Sequence, residues 1–369
     1  MTAMKVLIAA GGTGGHIYPG IAVASEVLRR DASSQVRFVG TSRGLEARLV
    51  PQSGFELSFI DSAGLKNVSP VARLRGLAVL PKGLLQARSL IRSFQPDIVV
   101  GAGGYVSGPV LLMAALMKLP TMVMDSNALP GWTNRRLARF VDRAAVSFAE
   151  ALPYFGGKGV LTGNPVRSEF FEIPRKHRNP GELSLLVFGG SQGARAINEA
   201  MVAALPYLGS RQNGLRITHQ TGESDYEKVR AGYAEAGWKD NADVRKYIDD
   251  MVSAFAAADL IICRAGATTS AELVAAGKAA IMIPFPLAAD DHQRKNAEAL
   301  QSAGAARMIL QQDLSGEKLA QEILALSSNP VEISDMEGRS RALARHDAAA
   351  ATVDLMEGLV REKDLRAKS

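Results

Sequence analysis

Cysteine is almost missing from this chain: Cys263 is alone among 369 residues. One thiol permits no disulfide framework within a chain, which fits a reducing compartment. Long apolar runs are missing as well. The nearest candidate, "GPVLLMAALMKLPTMVM", is broken by Lys118 and Pro120 and falls short of the roughly 18 apolar residues of a spanning helix. The run at residues 6–10 is too short for a secretory leader and ends in glycine. We therefore expect a soluble protein, or one that lies on a membrane. Aromatics make up only 6% and are not interleaved with bases, so stacking platforms for nucleic acid are not expected. No D-x-D triplet occurs, and the five histidines are scattered. Neither the usual carboxylate pair for a metal-bound nucleotide-sugar nor a histidine metal site is expected, and no cofactor.

The chain does have bulk and positive charge. It is 47% hydrophobic and 22% charged, enough for two cores at about 100–200 residues per domain. The net charge of +6 and a pI near 9.4 suit an acidic partner, either phosphate groups or anionic lipid. Apolar runs such as "KVLIAA", "DIVVGAGG", "LSLLVFGG" and "ADLIICRAG" alternate with helical patterns. That alternation indicates parallel sheets covered on both faces.

The plan is duplicated. Gly11, Gly12, Thr13 and Gly15 are echoed by Gly189, Gly190, Ser191 and Gly193, and Asp97 and Gly104 by Asp259 and Gly266, in the same order. We expect two doubly wound α/β domains, each with two glycine loops at strand C-termini, where such sheets bind ligands. The expected bounds are 1–163 and 164–344, joined near "LTGNPVRSEFF", with 345–369 a helix that returns to the first domain. A cleft between the domains is the default active site. The loops fit neither common nucleotide fingerprint. After Gly12 and Gly14 the dinucleotide pattern meets Ile17, Thr41 stands where a ribose-binding acid belongs, and Pro109 takes the place of the Walker lysine.

The stretches "GGTGGHIYPG", "GAGGYVSGP", "LTGNPVR", "GGSQGA", "YIDDM", "CRAGATTSAE" and "DDHQRKNAEAL" resemble, in order and over about residues 4–357, the motifs of the MurG-type N-acetylglucosaminyltransferase family. The resemblance implies the GT-B fold, two Rossmann-like domains facing across a cleft. It implies an inverting transfer of GlcNAc from UDP-GlcNAc to the muramyl 4-hydroxyl of undecaprenyl-linked lipid I, forming lipid II at the cytoplasmic face of the bacterial inner membrane.

It places the donor mostly in the second domain. Ser191 is to reach phosphate or sugar, or else to cap a helix. Arg264 and a turn comprising Ala267, Thr268, Thr269, Ser270, Ala271 and Glu272 are to line the nucleotide, with the Glu272 carboxylate on the ribose diol. Ile248 is to touch uracil through its backbone, unless it is simply core. Gln293, Asn127 and Arg167 are to contact the donor. Thr13, Gly14 and Gly15 are to meet the donor sugar from the first domain, and the rest of that loop the acceptor's pyrophosphate. His16 and Asp125 are the candidate catalytic groups. Where the family reads His-Glu-Gln-Asn, this chain has Met124, Asp125, Ser126 and Asn127, so the histidine's role falls away and the acid is one methylene shorter.

Between Asp61 and Asp97 no acid occurs, while Lys66, Arg73, Arg75, Lys82, Arg88 and Arg92 alternate with leucines. This composition suits an anionic membrane surface, although residues 84, 87, 91 and 94 share a helical face that suits a core. Alternative activities on the same fold are a UDP-GlcNAc epimerase, a diacylglycerol glycosyltransferase and a non-catalytic nucleotide-sugar-binding module.

Overall fold

The computed structural model describes residues 3–62, 70–179, 181–288 and 291–368, and their side chains except those of 70–78, 364 and 366–368. Lys66 lies outside the described residues, as do the side chains of Arg73, Leu74, Arg75 and Leu77. Contacts divide the chain into two units, residues 1–167 with 345–369, and residues 168–344.

Unit 1 runs β1 (Lys5–Ala10), α1 (Gly14–Arg30), β2 (Gln35–Gly40), α2 (Glu46–Gln52), β3 (Glu56–Phe59), α3 (Pro70–Phe94), β4 (Ile98–Gly103), α4 (Ser107–Leu116), β5 (Thr121–Asp125), α5 (Trp132–Leu137), β6 (Arg143–Val146) and β7 (Gly159–Leu161). Its strands form one parallel sheet in the order β3-β2-β1-β4-β5-β6-β7. Unit 2 runs α6 (Ser168–Phe171), β8 (Leu183–Phe188), α7 (Arg195–Ala204), β9 (Leu215–Gln220), α8 (Tyr226–Glu235), β10 (Ala242–Arg245), α9 (Met251–Ala257), β11 (Leu260–Cys263), α10 (Ala267–Ala276), β12 (Ala279–Met282), α11 (His292–Ser302), β13 (Ala306–Met308), α12 (Gly316–Ser327) and α13 (Pro330–Ala342). Its parallel sheet has the order β10-β9-β8-β11-β12-β13. The last helix, α14 (Ala348–Lys368), belongs to unit 1.

The two orders superimpose, with β1 to β6 matching β8 to β13. In each sheet the chain reverses its direction of travel between two central neighbours, β1 and β4 or β8 and β11. These four strands carry the four glycine loops. The duplication in the sequence is therefore the pair of strand ends at each switch point, where crossovers diverge and leave a crevice. Burial explains why these strands were legible. Val6 to Ala10 are fully covered, as are Ile98 to Val100 and Leu260 to Cys263, so each reads as a continuous apolar run. The strands at or next to the sheet edges, β3, β6, β7, β10 and β13, are three or four residues long, and the sequence pattern did not reveal them.

Outer helices close unit 1. Ala87, Ile91 and Phe94 of α3 are buried, which places the apolar face of that helix in the core. Arg30 at the end of α1 holds α14: its Nη1 lies 2.6 Å from Asp354 and 3.2 Å from Glu357, and its Nη2 donates to Ala350 O at 2.9 Å.

The first glycine loop is fixed from below by a buried carboxylate. Glu46, at the start of α2, is fully covered. Its Oε2 accepts the Gly12 N–H at 3.0 Å, and its Oε1 accepts the Thr41 N–H at 2.9 Å and hydroxyl at 2.8 Å. A Cβ at Gly11, Gly40 or Gly44 would run into the Glu46 side chain, so these glycines leave the space it fills. Gly12 turns the loop at φ 90°, and its counterpart Gly190 does so at φ 96°, a left-handed conformation open to glycine at no steric cost. Glu46→Ala would take the acceptor from three partly buried donors. We expect it to lower unit 1 stability by about 2–4 kcal/mol, read as an earlier urea transition. An unchanged transition would show that the carboxylate is dispensable.

Candidate active site

In unit 1 a cavity of about 660 Å³ opens at the C-terminal ends of β1, β4 and β5. Gly12, Thr13, His16, Asp125 and Asn127 line it together, with Tyr105 and Asn134, which sequence reasoning missed. Gly14 and Gly15 form the first turn of α1, behind Thr13.

His16 stands in that same turn. Its Nδ1 is 3.1 Å from Gly11 O. A carbonyl can only accept, so Nδ1 carries the proton and Nε2 keeps its lone pair. Burial lowers the His16 pKa, partly opposed by the Gly11 carbonyl and the Asp125 and Glu46 carboxylates. The ring is therefore neutral at pH 7. A Cβ at Gly103 would strike the ring, so glycine there lets the histidine pack against β4.

Asp125 ends β5 and is buried. Oδ1 accepts from Asn127 N at 3.0 Å and Asn127 Nδ2 at 3.4 Å, while Oδ2 accepts from Gly131 N and Asn134 Nδ2, both at 2.9 Å. Burial raises its pKa against the pull of those donors and of His16. A carboxylate with both oxygens doubly engaged is suited to holding its neighbours in place rather than to taking a proton. Nε2 of His16 keeps a lone pair without a hydrogen-bond partner among the described residues, in the same cavity. Met124, in place of the family's histidine, is buried in the cavity wall.

Arg167 was expected in the donor half. It closes unit 1 instead, with its guanidinium 4.2 Å from the centre of the Tyr18 ring.

In unit 2 the other candidates follow different strands: Ser191 after β8, Ile248 after β10, Arg264 after β11 and Gln293 in α11. Ser191 does not open a helix: α7 begins at Arg195, with Ala194 as its N-cap. Ser191 sits in the preceding loop, which turns at Gly190 and packs Gly193 against the Thr221 carbonyl. The expected turn at 267–272 is helical, because Ala267 to Glu272 are the first six residues of α10, after Gly266 as N-cap. Ser270 Oγ is buried and has no hydrogen-bond partner. Glu272 is only 7% exposed, on the second turn.

Arg264 does not project into open space. Its Nη1 donates to Ile283 O and Pro284 O at 3.1 and 3.2 Å, its Nη2 to Gln311 Oε1 at 2.6 Å, and it lies over Phe285. Burial lowers its pKa to about 10. Gln293 Oε1 accepts the Phe285 N–H at 3.0 Å. Arg264 and Gln293 thus brace the same segment, 283–285.

Two residues missed in the sequence organise these loops. Gln220, the last residue of β9, donates from Nε2 to Gly190 O at 2.9 Å and accepts the Ile248 N–H on Oε1 at 2.7 Å. Ile248 is buried, and its backbone N–H is held by this amide. Asn296 Nδ2 donates to Ala265 O at 3.0 Å, steadying the entry to α10. The signal for Gln220 was its place at the C-terminal end of a central strand. Asn296 gave none. Among the described residues no group of three or more His, Cys, Asp or Glu is placed to hold a metal. Gln220→Leu would free Ile248 N and leave Gly190 O with only the Gly193 N–H. We expect amide hydrogen exchange at Ile248 to speed up at least about tenfold with the centre of β8 unchanged. Equal rates in both proteins would remove this tie from the account.

Residues 6–146 match the glycosyltransferase family 28 N-terminal domain, and residues 184–353 match the family 28 C-terminal domain. Curated proteins named UDP-N-acetylglucosamine–N-acetylmuramyl-(pentapeptide) pyrophosphoryl-undecaprenol N-acetylglucosamine transferase align over nearly the whole chain. The one from Geotalea uraniireducens strain Rf4 is 49% identical over 358 residues, covering 96% of this chain and 98% of its own. The one from Geobacter sulfurreducens is 48% identical over 366 residues, covering 98% and 100%. The crystal structure of Acinetobacter baumannii MurG matches with TM-score 0.69 and 32% identity, covering 96% and 99%. A UDP-N-acetylglucosamine 2-epimerase structure matches with TM-score 0.72 at 13% identity, a likeness of fold alone.

Proposed function

From the premise that this chain belongs to the MurG-type N-acetylglucosaminyltransferases of glycosyltransferase family 28, we propose how its residues divide the work. The enzyme moves GlcNAc from UDP-GlcNAc to lipid I, forming lipid II. In an inverting transfer the acceptor 4-hydroxyl oxygen attacks the anomeric carbon, the bond to the UDP β-phosphate oxygen breaks, and the hydroxyl proton passes to a base. His16 Nε2 is that base. Its neutral, tautomer-fixed imidazole in the same cavity as Asp125 and Asn127 is the observation that supports the assignment most directly. Asp125 positions Asn127 and Asn134, and Thr13, Gly14 and Gly15 form the adjoining wall.

Unit 2 holds the donor. The N–H groups at the start of α10 and the positive end of its dipole suit a diphosphate, and the unpartnered Ser270 hydroxyl lies on that first turn. Ser191 and the Gly190 loop, fixed by Gln220, form a second donor wall. Ile248, Glu272 and Arg167 keep the roles the family resemblance implies. Arg264 and Gln293 act by bracing residues 283–285. The epimerase alternative is not favoured, because its likeness rests on fold, whereas sequence identity runs with the transferases across both units.

UDP release from UDP-GlcNAc in the presence of a short-chain lipid I analogue tests this reading. We expect turnover only with the acceptor present; epimer formed from donor alone would overturn it. His16→Gln should lower kcat by roughly 10²–10⁴-fold. Burial lowers the His16 pKa, so wild-type kcat/KM should fall as pH drops through a value below the usual 6.5. That limb should be absent from the residual activity of the variant.

We further infer that α3 faces an anionic membrane. Arg88 and Arg92 are exposed, Leu85 is 64% exposed, and the helix carries no acid. Lys82 contributes less, since it pairs with Asp61 at 2.6 Å. Replacing Arg88 and Arg92 with glutamine should weaken sedimentation with anionic vesicles about tenfold or more at low salt, at about 1 kcal/mol per base. Undiminished binding would move the membrane contact elsewhere.

A further inference from the structure

The cavity of unit 1 holds side chains that no role above uses. Arg135 and Arg136 lie on α5, and Arg139 lies in the turn that follows. Each guanidinium lies over an aromatic ring: Arg135 over Tyr154 at 6.0 Å, Arg136 over Trp132 at 5.3 Å and Arg139 over Phe140 at 5.0 Å. Stacking occupies the flat face of a guanidinium and leaves its N–H edge for an anion. All three are exposed, and none makes an ion pair with any of the described residues. Arg136 and Arg139, three residues apart, line the same cavity as His16 and Asp125. Lys158 fixes the turn that carries Arg139, because its Nζ donates to Ala138 O and Arg139 O, both at 3.1 Å.

The glycine loop beside them is poorly equipped for an anion at its first two residues. The Gly11 N–H is bonded to Gly103 O and the Gly12 N–H to the Glu46 carboxylate. Glu46 also brings a negative charge to that loop. A pyrophosphate placed against it would meet repulsion and find two of its backbone donors taken. The arginine wall differs in both respects. Its cations have no carboxylate partner, and they are interleaved with Trp132, Leu137 and Phe140 of the same cavity. A cationic edge set among apolar side chains matches a pyrophosphate joined to a long hydrocarbon.

We propose that Arg136 and Arg139 clamp the pyrophosphate of the lipid-linked acceptor. The clamp rests on the acceptor reading given above. It is a positioning site: it holds the acceptor by its phosphates so that the sugar hydroxyl reaches His16 Nε2.

The test is steady-state kinetics of Arg136→Gln/Arg139→Gln with a short-chain, water-soluble lipid I analogue and no membrane present. KM for the acceptor should rise roughly 10- to 100-fold, the scale of losing charge-assisted hydrogen bonds, with kcat held within about threefold. Inorganic pyrophosphate should compete with the acceptor in the wild type, and its inhibition constant should rise in parallel. Arg136→Lys/Arg139→Lys should recover part of the affinity, since it restores charge without the planar fork. UDP affinity by calorimetry should be unchanged, which shows that the variant is folded. Unchanged acceptor KM with weakened binding to phosphatidylglycerol vesicles would assign the arginines to membrane phosphates and overturn the clamp. Parallel loss of UDP affinity would mark them as structural and overturn it too. A wild-type enzyme that releases no UDP with this acceptor would overturn the acceptor reading and the clamp together.

Discussion

Everything functional in this chain depends on one topological constraint. In a parallel sheet the strands all point the same way, and right-handed crossovers carry the chain outward from the centre. When the chain returns to start the other side, two neighbouring strands send their next helices in opposite directions. The C-terminal ends of that pair cannot both be covered, and backbone N–H groups, helix starts and small residues gather there. Unit 1 has this pair in β1 and β4, and unit 2 in β8 and β11. His16 and the Gly104 loop stand at the first crevice, and Ser191 and the start of α10 at the second.

Such a crevice is useful only if its loops keep their shape, and the two units use different means. Unit 1 places a carboxylate, Glu46, beneath the loop, where it accepts three hydrogen bonds. Unit 2 uses a neutral amide, Gln220, whose donor and acceptor ends join two loops that are far apart in sequence. The difference suits the chemistry on each side. A neutral brace adds no repulsion where we propose the nucleotide diphosphate binds, whereas the carboxylate brace sits in the unit where we propose a neutral histidine as base.

The glycine loops, the central strands and the doubly wound plan were legible in the sequence because each is a local pattern: an apolar run of five or six residues followed by glycine. The short outer strands were not, since three or four residues at a sheet edge leave no period to detect. Single braces were also hidden. Glu46 looks like an ordinary acid at a helix start, and nothing nearby announces that Gly12 is its partner 34 positions away. The hydrogen bonds of Asp125 were hidden too, because they depend on Asn134 and Gly131 arriving from the following segment. The turn expected at 267–272 reads as loop from its glycine and threonines, yet it packs as helix because Leu273, Ala275 and Ala276 anchor its apolar side in the core.

The salt-bridged clasp between Arg30 and α14 bears on the order in which the molecule is made. Unit 1 is assembled from the first 167 residues and the last 25, with all of unit 2 threaded between them. Chains emerge from the ribosome N-terminus first and domains tend to form as they appear. Unit 2 is contiguous and has all its parts while α14 is still being synthesised. Unit 1 must wait, with the α1 surface that α14 will cover still open, until the final helix is released. The unit that carries His16 is therefore completed last, and loss of α14 would damage the beginning of the chain rather than the unit next to the cut.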